Sequence, residues 1–144
     1  MSSRNRSADF QPITPNISYK DVDKAIGWLK AAFGFVPHLR YIDPQTGDTT
    51  HAQLCFGLSI IMLSHDPASS AVAKPLQSTV VLVSDVDDLF ARAIAAGAAI
   101  VSEPQDKVFG ERQCALADLE GHHWWFTQHL NDVAPEAWGA QLED

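Results

Sequence analysis

The chain contains the same pattern twice. Asp21-Val-Asp23 opens a run in which Val22, Ala25, Ile26, Leu29, Ala32 and Phe33 fall on one face of a helix, closing at Gly34. Sixty-four positions later, Asp85-Val-Asp87 opens a second run, with Val86, Leu89, Phe90 and Ala93 on one face, closing at Gly97. In each run the first Asp is a natural N-cap, because its short carboxylate can accept from the unpaired N–H groups of the first turn. The Gly suits the left-handed residue that ends a helix. The acids of Asp85-Val-Asp87-Asp88 match the positive end of the helix dipole.

Three strand-like runs follow each helix. In the first half they are residues 35–41, residues 50–56 after the turn at Asp43-Pro-Gln-Thr-Gly47-Asp, and residues 58–64 after Gly57. In the second half they are residues 99–103, residues 111–117 after Gly110, and residues 122–128 after Asp118-Leu-Glu-Gly121. With a strand before each helix, each half reads strand, helix, strand, strand, strand. Residues 65–77, with two prolines and two serines, read as the linker between the halves. Residues 1–11 read as a flexible N-terminal segment, and residues 130–144 as an acidic tail. Trp138 stands out in that tail, since an indole is a large apolar body that docks on its own domain or on a partner subunit.

A βαβββ unit of about 60 residues is marginal alone, whereas two copies can curl their sheets together and enclose a cavity. The expected fold is therefore α+β, with tandem βαβββ modules at 12–64 and 78–129 forming a curved, partly closed mixed sheet around a cavity in a single domain, 12–129. A chain of 144 residues buries enough surface to fold without a disulfide or metal staple.

Charge narrows the partners. Ten Lys and Arg against 18 Asp and Glu give a net charge of -8, which offers no basic surface to a phosphate backbone. No apolar run approaches the roughly 18 residues of a membrane span, and the polar start of the chain lacks an apolar leader core. A cytoplasmic protein that binds neither nucleic acid nor membrane is the expectation. Cys55 and Cys114 lack CxxC spacing and read as two free, buried thiols.

The order of these segments resembles the glyoxalase / bleomycin-resistance / extradiol dioxygenase superfamily, the vicinal oxygen chelate fold. The carriers in the first half are Ile13-Thr-Pro15, Ala31-Ala-Phe33-Gly34-Phe35, and His51-Ala-Gln-Leu running to Gly57-Leu-Ser-Ile-Ile-Met62-Leu-Ser. In the second they are Val83-Ser-Asp85-Val86-Asp87, Ala95-Ala-Gly97-Ala-Ala-Ile100, Glu103-Pro104, and Asp118-Leu-Glu120-Gly121-His122-His-Trp124. The resemblance implies a homodimer whose cavity is often completed by the partner subunit. It also implies that metal-using members take His, Glu or Gln ligands from the first and last strand of each module. Alignment on Asp21, Gly57, Asp85 and Gly121 puts those positions on Thr14, Met62, Ser78 and Trp125. A thioether, an indole and two hydroxyls do not serve a cation that wants imidazole and carboxylate, so no metal and no cofactor are expected. Among the immediate neighbours Gln77 alone could coordinate.

Strand alternation then sorts the pocket. Ala52, Leu54 and Phe56 suit the helix-covered face, which turns His51, Gln53 and Cys55 to the concave side. Trp125, His123 and Thr127 point inward together, with Trp124 and Phe126 under the helix. Thr14, Asn16 and Ser18 point inward from the first strand, and Arg112, Cys114 and Leu116 are expected inward from residues 111–117. His122 and His123 point to opposite faces and cannot chelate one ion together. The expected ligand-binding set is thus Asn16, His51, Gln53, Cys55, Met62, Arg112, Cys114, His123 and Trp125.

Trp125 and Met62 offer stacking area, while the polar groups fix orientation. That composition suits metal-independent sequestration of an aromatic or amphipathic small molecule, as in the drug-binding members of the family. The alternatives left open are a glyoxalase-like lyase or isomerase or a dioxygenase-type enzyme, either metal-free with His51 as base or metal-dependent, and a module that binds no ligand. No catalytic residue is assigned.

Overall fold

The computed structural model describes residues 9–68 and 75–143, and the chain divides into two compact units between residues 70 and 71. Residues 69–74 of the expected linker, and residues 1–8 of the expected N-terminal segment, lie outside the described residues.

The first unit runs β1 (Asn16–Tyr19), α1 (Val22–Phe33), β2 (Val36–Ile42), β3 (Thr49–Phe56) and β4 (Ser59–His65). Its sheet has the order β1-β4-β3-β2, with β1 parallel to β4 and the other pairs antiparallel. The second unit repeats this as β5 (Ser78–Leu82), α2 (Val86–Ala95), β6 (Ala99–Asp106), β7 (Glu111–Ala117) and β8 (His123–His129), in the order β5-β8-β7-β6. The eight strands therefore form two mixed four-stranded sheets, α+β as the repeat predicts, and neither sheet is a closed barrel.

Both helices start and stop where the sequence places them. Asp21 accepts from the Lys24 N–H and Asp85 from the Asp88 N–H, each at 3.0 Å. Gly34 ends α1 at φ 82°, a conformation that any residue with a Cβ adopts at a cost. The buried residues of α1 are Val22, Ala25, Ile26, Leu29, Ala32 and Phe33, the set named by the period. They pack on β2, β3 and β4 over Tyr19, Ala52, Leu54, Ile61 and Leu63, all at or near full burial. Each large aliphatic or aromatic side chain in that layer contributes about 1.5–3 kcal/mol. In the second unit Val86, Leu89 and Ala93 of α2 are buried, and Val81, Cys114, Leu116, Trp124 and Phe126 supply the sheet side of the core.

The repeat extends to how each helix is tied down. Asp23, in the first turn of α1, pairs with Arg40 on β2 at 2.9 Å and accepts from the Thr49 hydroxyl at 2.7 Å. Asp87, at the same place in α2, pairs with Arg112 on β7 at 3.0 Å. The equivalent edge strands β2 and β6 each carry a proline, Pro37 and Pro104, beside a register shift. Proline and bulge together spoil an edge for further pairing.

Two segments beyond the repeat are anchored. The Gln11 side chain pairs with both backbone groups of Ile60 on β4, in the manner of one more strand residue. After β8 the chain crosses Gly110, whose carbonyl accepts from Leu130 and Asn131. Gly110 sits at φ 87°, and a Cβ there would overlap the Asn131 carbonyl oxygen. The tail then forms a single 3-10 turn, Pro135–Trp138, which sets the Trp138 ring 5.5 Å from that of Phe109.

Candidate functional site

Residues directly opposite each other on paired strands share a face, so the register of each sheet defines what its open face carries. In the first unit Asn16 stands opposite Met62, Met62 opposite Gln53, and Gln53 opposite Leu39. One step along, Ser18, Ser64, His51 and Tyr41 form a second row, and Cys55 stands opposite Ile60. The structure thus brings Asn16, His51, Gln53, Cys55 and Met62 onto one face, opposite Ala52, Leu54, Ile61 and Leu63. The Ser64 hydroxyl donates to Asn16 Oδ1 at 2.8 Å, and Gln53 Nε2 lies 3.2 Å from His51 Nε2. Gln53 is only 6% exposed, and its Oε1 has no hydrogen-bond partner among the described residues.

In the second unit the central row is Val80, Trp125 and Ala115. Trp125 is half-buried, whereas its neighbours Trp124 and Phe126 are fully buried under α2. Strand alternation alone separates them: two adjacent tryptophans, one in the core and one on the open face. Val80 and Leu82 are 62% and 65% exposed on that same face, and Ser78 lies opposite His123. A polar chain borders this row. Gln113 Nε2 donates to Thr127 Oγ1 at 3.2 Å, and Thr127 donates in turn to Glu111 Oε1 at 2.8 Å.

The register overturns one expectation. Arg112 stands opposite Gln128, Cys114 opposite Phe126 and Leu116 opposite Trp124, so all three take the helix-covered face. Arg112 donates to Asp87 on α2 and to Asp106, and these bonds raise the guanidinium still further above its ordinary range. Cys114 is fully buried, and desolvation pushes its thiol up to about 11. Neither residue belongs to the open face, where Glu111, Gln113 and Ala115 stand instead. The signal that finds them is the repeat: Leu116 opposite Trp124 matches Leu54 opposite Ile61, and Ala115 opposite Trp125 matches Gln53 opposite Met62.

The chain belongs to the glyoxalase/bleomycin resistance protein/dioxygenase superfamily, whose model matches residues 11–126. It is 31% identical over 130 residues to the uncharacterized protein Mb0911c of Mycobacterium bovis, covering 84% of this chain and 85% of that one. Among solved structures it is similar to TioX from Micromonospora sp. ML1, at 41% identity and TM-score 0.68, covering 83% of this chain and 99% of that one. It shares its fold with the fosfomycin resistance protein FosX from Listeria monocytogenes, solved as a mutant with Mn(II) and a dihydroxypropylphosphonic acid, at 15% identity and TM-score 0.65. That match covers 83% of this chain and 91% of FosX.

The four positions that the resemblance assigns to metal ligands do not fit a divalent cation. Thr14 donates its hydroxyl to the Gln11 carbonyl at 3.3 Å, Met62 offers a thioether, Ser78 a hydroxyl and Trp125 an indole. Among the described residues no three His, Cys, Asp or Glu side chains gather where they could hold an ion. No described helix is long and apolar enough to cross a membrane.

Proposed function

We propose that this protein binds an aromatic or amphipathic small molecule non-covalently, without metal or cofactor, by stacking it on the open face of the second sheet. The observation that carries the reading is Trp125, half-buried between Val80 on one side and Ala115 on the other. Val80 is largely exposed, which leaves that side of the Trp125 ring to a planar guest, whereas Ala115 on the other side is fully covered. Trp124 and Phe126, which flank Trp125 in sequence, are fully buried and anchor β8 in the core. The exposed Val80 and Leu82 extend the apolar area, and Gln113, Thr127 and Glu111 supply a polar border that fixes orientation. Ring stacking is worth about 0.5–1.5 kcal/mol beyond the area buried, so one well-placed indole can set affinity.

Titration of a panel of planar aromatic and amphipathic compounds, followed by intrinsic tryptophan fluorescence, tests this reading. Saturable quenching is expected, with the compound recovered unchanged and Trp125→Ala weakening binding about tenfold or more, equivalent to at least about 1.4 kcal/mol. Conversion of the compound, or equal binding by the variant, would overturn it.

A further inference from the structure

We infer that the open face of the first sheet selects its ligand by an N–H or O–H donor, which Gln53 Oε1 receives. This inference rests on the small-molecule-binding reading above, but on a different strand, a different unit and a different observation. Gln53 sits in the middle of β3, nine-tenths buried, with one end of its amide 3.2 Å from His51 Nε2 and the other without a partner among the described residues. Nε2 is the end turned toward His51; the exchanged orientation would leave an N–H unpaired instead and would select an acceptor, which 2-naphthol and 2-methoxynaphthalene both carry, so that equal binding of the two is its signature. The residues directly across from it cannot help. Met62 and Leu39 flank Gln53 on the neighbouring strands, and neither carries a donor. A buried carbonyl left in that state costs free energy until a donor arrives.

The fold does not ask for this glutamine. At the equivalent point of the second unit the same strand carries Ala115, and that sheet forms with the same order and pairing. A polar side chain kept where the repeat is content with a methyl group is therefore explained by what it binds. Met62 beside it supplies an adaptable apolar contact for the rest of the guest. The ligand class that follows is a planar aromatic molecule carrying a hydroxyl or N–H on its rim. Analogues lacking the donor bind more weakly, because they forgo the hydrogen bond that pairs the buried carbonyl.

The test uses the full chain and two probes that differ by one donor, 2-naphthol and 2-methoxynaphthalene, with affinities measured by calorimetry. Wild type is expected to bind 2-naphthol at least tenfold more tightly. Gln53→Met is expected to bind both probes alike and, without probe, to melt at or above the wild-type temperature, since it removes an unsatisfied amide. Equal binding of both probes by wild type would overturn the donor-selection inference and leave the small-molecule reading standing. Failure of both probes to bind would overturn both readings. A lower melting temperature for Gln53→Met, or a preference that survives it, would make Gln53 a structural residue and also overturn the inference.

Discussion

In the first unit Gln53 on β3 stands opposite Met62 on β4; at the matching point of the second, Ala115 on β7 stands opposite Trp125 on β8. Bulk has moved from one strand to its neighbour, and a polar amide has given way to an indole. On the helix-covered side the character is kept even where size and strand change: Leu54 and Leu116, Ile61 and Trp124 are all buried apolar side chains, and Asp23 and Asp87 each pair with an arginine, Arg40 on β2 and Arg112 on β7. The contrast teaches which residues the architecture holds and which it releases. The centre of the helix-facing layer must exclude water and is filled by apolar side chains, with the charged pairs at its border, whereas the open face differs strand by strand between the units.

The sharpest way to break this comparison is the tryptophan pair. Trp124→Ala removes a fully buried ring, and should destabilise the protein by about 3–5 kcal/mol. Trp125→Ala, one residue on, should cost about 1 kcal/mol while removing aromatic binding. Thermal and urea melts of the two variants decide the matter, and similar losses would mean that the open face is core after all.

The turn between β7 and β8 offers the next largest effect. Asp118 is nearly buried, and its Oδ1 accepts from the Glu120 and His122 backbone N–H groups while Oδ2 accepts from Trp124 Nε1, each at 3.0 Å. The first unit makes the corresponding connection with Gly57-Leu58 and needs no such hub. Asp118→Ala should therefore cost about 2–4 kcal/mol, through three lost acceptor contacts and an orphaned buried indole N–H. Hydrogen exchange should show the loss concentrated at residues 117–125; uniform loosening of both units would contradict it.

The smallest effect separates the two cysteines. Cys55, on the first open face, is partly exposed, while Cys114 is buried under α2 with its thiol pushed up to about 11 by desolvation. Alkylation at neutral pH should mark Cys55 first and reach Cys114 only on unfolding. The raised value also has a stability consequence. Below the ordinary thiol value of 9.0 both folded and unfolded chains keep the proton, and the shift contributes nothing; from there to about 11 only the unfolded chain releases it, so stability declines. Urea melts at pH 7 and pH 10 should show this decline in wild type and a flatter profile in Cys114→Ala.

Much of this was legible in the chain itself. The two Asp-Val-Asp caps, the α1 core set and the division of Trp124 from Trp125 follow from period and alternation, because these features depend on neighbours close in sequence. The facing of β7 was not legible from its own residues. Arg112 reads as a solvent or pocket residue until its carboxylate partners are known, and one of them, Asp87, lies 25 positions away on α2. Cys114 and Leu116 were ambiguous for the same reason: a short run with apolar residues on both parities takes its direction from the strand it pairs with. The unpaired end of Gln53 was beyond reach of the sequence altogether, since it depends on Met62 and Leu39 lying beside it rather than on any motif.

The most direct test of the account follows the four tryptophan indole N–H resonances, of Trp28, Trp124, Trp125 and Trp138, during titration with a planar aromatic probe such as 2-naphthol. The account predicts a large saturable shift at Trp125 and none of that size at the buried Trp124. A titration that leaves Trp125 in place, whether or not another indole moves, would contradict it.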